Sequence, residues 1–266
     1  MERKLEHLKR RLAECGSLAV AFSGGVDSAF LLKTAHDVLG NQVLAVTIRA
    51  SVFPARETDE AATFCKAYGI RQIIRVVDPL KIEGFAQNPK NRCYLCKRHL
   101  MQMILAVAKE QQAAFVAEGS NRDDEGDYRP GHQAVKELGI LSPLREAGLW
   151  KAEIRELSAQ MGLATWDKPS YACLASRFVY GERITPQKLA MVEQAEQLLL
   201  DLGFHQMRVR IHGNMARIEV LPEDFDRMMQ ETVRRQILEG FRVYGFTYVA
   251  MDLQGYRMGS MNEDGI

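Results

Sequence analysis

From Ser17 to about Gly162 the chain alternates short apolar runs with amphipathic stretches. The runs are "SLAVAF", "QVLAVTI", "RQIIRVV", "AAFVAEG" and "GILSPL", and between them lie "DSAFLLKTAHDVLG", "TDEAATFCKAYG" and "KRHLMQMILAVAKEQQ". The runs are largely apolar and too short for a buried helix, the pattern of strands in a covered parallel sheet, while the intervening stretches carry helical spacing. The alternation predicts repeated βαβ units: an α/β fold with a parallel sheet, flanking helices and ligands at the carboxyl ends of its strands. "LWKAEIRELSAQMGL" reads as one further helix with Gly162 as its C-cap.

The periodicity then stops. "ATWDKPSYACLASRFVYGERITP" is aperiodic and reads as a functional linker loop. Beyond it "PQKLAMVEQAEQLLLDLGF" is a helix, "QMRVRIHG" and "MARIEV" are strands, "PEDFDRMMQETVRRQILEGF" is helical and "FTYVAMDL" is a strand. The expected organisation is an α/β domain over 1–165, a functional linker loop over 166–185 and a small α+β domain over 186–266.

Composition narrows the class. The chain has 266 residues, of which 47% are hydrophobic and 26% charged, enough interior for one large or two smaller domains. A formal net charge of +1 supplies no overall basic field for nucleic acid, so none is expected as a partner. The N-terminal "MERKLEHLKRRLAECG" interleaves charges with leucines where a signal peptide needs an unbroken apolar core. Five cysteines and no export signal point to a reducing cytoplasm.

Chemistry enters with "AFSGGVDS", residues 21 to 28. It follows a buried-type strand and opens a helix, so the backbone N–H groups of Ser23, Gly24, Gly25 and Val26 can converge on an anion at the positive end of the helix dipole. It is neither a Gly-Lys-Ser/Thr phosphate loop nor a GxGxxG fingerprint. A second stretch, "EGSNRDDEGDYRPG" over 118–131, starts where the fourth strand ends and gathers five carboxylates beside two arginines, suited to magnesium and a substrate. Cys93 and Cys96 form a CxxC at the start of a helical stretch. On the residues alone they are half of a zinc site completed by His99 or Cys173, a dithiol redox pair, or part of a larger thiolate set. Cys15 and Cys65 fall in amphipathic patterns and read as packing residues.

"SGGVDS" resembles the signature of the PP-loop ATP pyrophosphatases, the adenine nucleotide alpha hydrolase-like fold, which cleave ATP between the α and β phosphates. The resemblance implies that Ser23, Gly24, Gly25, Val26, Asp27 and Ser28 bind ATP, with Ser23 and Ser28 on the pyrophosphate and Asp27 positioning Mg2+. "DKPSYACLASRFVYGERIT", "DYRPG" and "MDLQGYRMGSMN" are similar to the LarE family of sulfur transferases within that group. These enzymes adenylate carboxylates of a pyridinium mononucleotide and convert them to thiocarboxylates, the organic part of a nickel-pincer cofactor. One branch sacrifices the sulfur of a single cysteine. A second holds a 4Fe-4S cluster on three cysteines, which Cys93, Cys96 and Cys173 match, so the resemblance implies a cluster with one open iron.

Further roles follow from the same resemblance. Cys173 and Asp27 are the catalytic residues, and Ser176, Arg177, Arg208, Arg210 and Asp252 are substrate-binding candidates. In "MRVRIHG" alternation puts Arg208, Arg210 and His212 on one face, either solvated or turned to a substrate phosphate. Asp252 also suits a turn cap, and Trp166 and Tyr94 suit either ring stacking or packing. LarE-like proteins form hexamers, which implies a homo-oligomer, alongside a sulfide donor and other nickel-pincer biosynthesis proteins as partners. Two other functions compete: a PP-loop enzyme that thiolates transfer RNA, and a regulator that binds ATP without chemistry.

Overall fold

A computed structural model describes residues 1–125, 130–169 and 172–257. The chain divides into two compact units, one of Met1–Ala50, Ala55–Ile82 and Asn91–Ser170, the other of Ser51–Pro54, Glu83–Lys90 and Tyr171–Ile266. The second unit therefore takes in two short segments of the chain's first half.

In the first unit β1 (Leu18–Ala21), β2 (Val43–Ala50), β3 (Arg71–Val77) and β4 (Phe115–Ala117) form a parallel sheet in the order β3-β2-β1-β4. The helices are α1 (Glu2–Ala13), α2 (Val26–Leu39), α3 (Ala55–Ala67), α4 (Arg92–Glu110), α5 (Pro130–Glu137), α6 (Pro143–Glu146) and α7 (Lys151–Gln160). Alternate strand residues serve two cores. Leu18, Val20, Val43 and Ala45 pack with Leu8, Phe30, Ile154 and Leu157, whereas Ala19, Leu44 and Val46 pack with Met101, Ile104 and Val107. Helices thus cover both faces of β1 and β2, which is why these two are nearly continuously apolar, whereas the edge strand β3 carries Arg71, Gln72 and Arg75 and is partly exposed. Cys15 and Cys65 belong to the first of these cores.

One expected strand is absent. "GILSPL" makes only a single parallel bridge, Leu141 to Ala117, before Pro143 opens α6. Proline lacks the N–H a sheet ladder requires and suits the first turn of a helix. β1 lies between β2 and β4, so the direction of connection reverses beside it. The crevice at the carboxyl ends of β1 and β4 is where such sheets bind ligands.

In the second unit β5 (Met207–His212) pairs antiparallel with β6 (Met215–Val220), and β6 pairs parallel with β7 (Tyr248–Met251). Beside this mixed sheet lie α8 (Pro186–Asp201), α9 (Phe225–Met229) and α10 (Glu231–Tyr244). Pro186 and Thr185, whose hydroxyl accepts the Lys188 N–H at 3.2 Å, start α8. The helical stretch before β7 is broken at Gln230, whose extended backbone (ψ 136°) separates α9 from α10.

Candidate active site

β1 ends at Ala21 and α2 begins at Val26, leaving residues 22–25 as a tight turn. Gly24 sits at φ +77°, where a side chain is strained, and a Cβ there would lie 3.2 Å from Ala61 Cβ and from the Glu57 carbonyl. Two of the expected anion-binding N–H groups are occupied internally. Ser23 N–H donates to Ser28 Oγ and Gly25 N–H to Ser23 Oγ, each at 3.4 Å, and the two hydroxyls are 3.1 Å apart. These long bonds are weak, so an arriving phosphate has little to displace.

The loop after β4 closes against this turn. A Cβ on Gly119 would stand 3.0 Å from Ser28 N and 3.2 Å from Ser28 Cα, so only glycine lets the two segments approach this closely. Asn121 Nδ2 donates to Asp27 Oδ1 at 3.2 Å, and Lys151 Nζ donates to Asp27 Oδ2 at 2.5 Å. The Lys151 N–H donates to Asp123 Oδ2 at 2.6 Å, and Asp123 N–H to Asn121 Oδ1 at 2.9 Å. Behind them Glu118 is buried, accepting from Ser142 Oγ (2.8 Å), Ser120 N–H (3.1 Å) and Lys97 Nζ (3.3 Å). Burial pushes its carboxyl up, but Lys97 and the serine bonds outweigh that and hold it below the usual range. Lys168 Nζ donates to the Gly24 carbonyl at 3.1 Å and pairs with Glu60 at 2.5 Å. Arg155 fixes the carbonyls of Trp166 (2.7 Å) and Lys168 (2.8 Å).

In the second unit Cys173 is half-buried and caps the short helical turn Leu174–Arg177. Arg177, expected as a substrate contact, is instead fully enclosed. Its Nε and Nη2 donate to the two oxygens of Glu196 at 2.8 and 2.9 Å, and its Nη1 to the carbonyls of Ala172 (2.8 Å) and Cys173 (3.2 Å) and to Ser176 Oγ (2.8 Å). It holds the cysteine loop. Glu196 also accepts the Val209 N–H at 3.0 Å; burial raises its carboxyl, and Arg177 more than reverses this.

The basic face of β5 is packed rather than solvated: Arg208 and Arg210 are 4% and 5% exposed. Arg210 donates to Glu219 at 2.9 Å and to the Ser176 carbonyl at 3.0 Å. Arg208 lies 5.0 Å over the Tyr256 ring and donates to the Met207 carbonyl at 2.6 Å, and burial together with the charge of Arg177 lowers its pKa. Desolvated cations crowded in this way gain from an added anion. Asp252, at the end of β7, pairs with Arg217 and accepts the Gln254 N–H at 2.8 Å, so it caps a turn as well as an arginine.

Cys93 stands in the first turn of α4 and Cys96 at the start of the second, in the first unit, the former exposed and the latter buried; none of the five cysteines forms a disulfide. Spaced i, i+3 they share a helix face, beside the N–H groups that favour thiolates. His99 is exposed, as is Trp166, while Tyr94 donates to Glu137 at 2.7 Å. Among the described residues no three His, Cys, Asp or Glu side chains are gathered as a metal site. Of the motifs singled out in the sequence, residues 126–129, 170–171 and everything from Met258 onward lie outside the described residues, as does the Glu125 side chain.

Sequence reading missed Gly119, Asn121, Lys151, Lys168 and Glu196 as site residues. Glu196 left a signal, since it interrupts the apolar stripe Leu189, Val192, Leu199 of α8. Lys168 sits in the aperiodic linker stretch; Lys151 left none.

Residues 1–140 match the NAD synthase family model. The chain is 37% identical over 257 residues to the pyridinium-3,5-bisthiocarboxylic acid mononucleotide synthase of Lactiplantibacillus plantarum, covering 95% of this chain and 91% of that protein. It is 40% identical to an uncharacterized protein of Synechocystis, covering 98% of each. It is 25% identical to a component of the glutamine-hydrolyzing GMP synthase of Thermoplasma acidophilum, over 74% of this chain and 68% of that one.

Proposed function

Since this chain belongs to the LarE family of ATP-dependent sulfur transferases, within the PP-loop superfamily, we propose that it converts carboxylates of a pyridinium mononucleotide to thiocarboxylates for a nickel-pincer cofactor. The observation that carries the reading is the near full-length match to a synthase of that product, joined to a phosphate turn whose hydroxyls and N–H groups suit an anion.

In this reading Ser23, Ser28 and the N–H groups of Gly24, Gly25 and Val26 hold the departing pyrophosphate. A substrate carboxylate oxygen attacks the α-phosphorus, the bond to the β-phosphate oxygen breaks, and pyrophosphate leaves. Electrostatic stabilisation of that leaving group is the main catalytic contribution. A sulfur nucleophile then attacks the acyl carbon and AMP departs. Arg208 and Arg210, with Ser176 beside them, suit the substrate phosphate. Arg177 and Glu196 hold the loop that presents Cys173.

Mg2+ fits at Asp27, a hard oxygen donor that already holds a cation, and would neutralise the phosphates. The three thiols are soft donors suited to a 4Fe-4S cluster held by Cys93, Cys96 and Cys173, which would supply sulfide at the iron lacking a protein ligand.

Two measurements test this. ATP with a pyridinium dicarboxylate mononucleotide should release pyrophosphate and give a thiocarboxylate mass; tight ATP binding without pyrophosphate release overturns the function. Protein purified without oxygen should contain iron and sulfide, lost in Cys93→Ala, Cys96→Ala and Cys173→Ala; stoichiometric zinc without iron overturns the cluster. A salt-sensitive gel shift with transfer RNA would favour the RNA-thiolation alternative.

A further inference from the structure

Lys151 opens α7, a place where its charge is unfavourable: the positive end of a helix dipole repels cations. Its position is explained by what it reaches. The ammonium is 2.5 Å from Asp27 Oδ2, and the ring of bonds runs on through Asn121 (3.2 Å), Asp123 (2.9 Å) and the Lys151 N–H (2.6 Å). The lysine backbone is thereby anchored while its flexible stem carries the charge to the carboxylate.

We propose that Lys151 is a positioning residue that occupies the cation position of Asp27 until nucleotide arrives, so that the site accepts magnesium only as its nucleotide complex. This rests on the reading of Asp27 as the metal-positioning carboxylate. An ammonium at 2.5 Å and a dication on the same carboxylate oxygen repel each other at contact distance, so the two compete for Asp27. A bare divalent ion must displace the ammonium from Asp27 and leave it beside the new charge, bringing no anion of its own to pair with it. The metal–nucleotide complex is still net negative and gives the displaced ammonium a phosphate to pair with. One side chain thus neutralises Asp27 in the empty site and the phosphates in the filled one.

Manganese, followed by electron paramagnetic resonance on the full-length protein, tests this without reference to turnover. Wild type without nucleotide should bind the ion weakly. Lys151→Gln should bind it about tenfold more tightly or better, removing a cation at contact distance. Lys151→Arg should stay near wild type, and adding Asp27→Asn to Lys151→Gln should abolish the gain. Because Lys151 is one-third exposed, the glutamine variant should keep its unfolding midpoint. Equal manganese affinity in wild type and Lys151→Gln, with ATP binding intact, overturns the proposal alone. Undiminished manganese–ATP affinity in Asp27→Asn overturns the underlying reading of Asp27 and the proposal with it.

Discussion

Glu196 grips the Arg177 guanidinium along one edge, Nε at 2.8 Å and Nη2 at 2.9 Å, in a pair from which solvent is excluded. The third guanidinium nitrogen of Arg177 then ties down the Ala172 and Cys173 carbonyls, so a carboxylate on α8 fixes the cysteine loop.

Removing one partner of a buried pair strands the other charge. Glu196→Ala should therefore cost about 3–5 kcal/mol in denaturant unfolding, and Cys173 should alkylate faster with iodoacetamide as its loop loosens. Unchanged unfolding and alkylation would show that the pair does not hold the loop.

Acid should attack the same carboxylates. Burial raises Glu118 and Glu196, yet their basic and hydrogen-bonding neighbours hold both below the usual range. A depressed folded value gives stability that is present above the unfolded value, about 4.3, and is lost as pH falls through the folded one. The unfolding midpoint should be nearly level from about pH 7 to about pH 5 and drop below about pH 4, with a shallower drop in Glu196→Gln.

Gly119→Ala places its new carbon against backbone atoms of Ser28, which cannot swing aside. The expected cost is about 1–3 kcal/mol, with a weaker ATP affinity by calorimetry. Gly131→Ala is the control, since its Cβ meets nothing nearer than 3.5 Å.

Lys168 supports the phosphate turn through the Gly24 carbonyl, and its side chain is 12% exposed. Lys168→Met should weaken ATP binding about tenfold, the size expected for one charge-assisted hydrogen bond. Undiminished affinity would assign the lysine to Glu60 alone.

Local chemistry was readable without coordinates. The phosphate turn is six adjacent residues, and strand, glycine turn and helix are all determined by near neighbours in the chain. The layered sheet was equally legible, because strands covered on both faces must be apolar throughout. The missing fifth strand was a local matter too: Pro143 ends the ladder.

Long-range pairing was not legible. Lys151 and Asp27 lie 124 positions apart, and nothing in "LWKAEIREL" says that its lysine will reach a carboxylate in another helix. Alternation placed Arg208 and Arg210 on one face of β5, yet the same pattern serves a solvated strand. Only the packing of Glu219, Tyr256 and the Leu174–Arg177 turn decided that both are buried. The chain's order determines which groups share a face or a turn; the fold decides which distant charge removes each group from water.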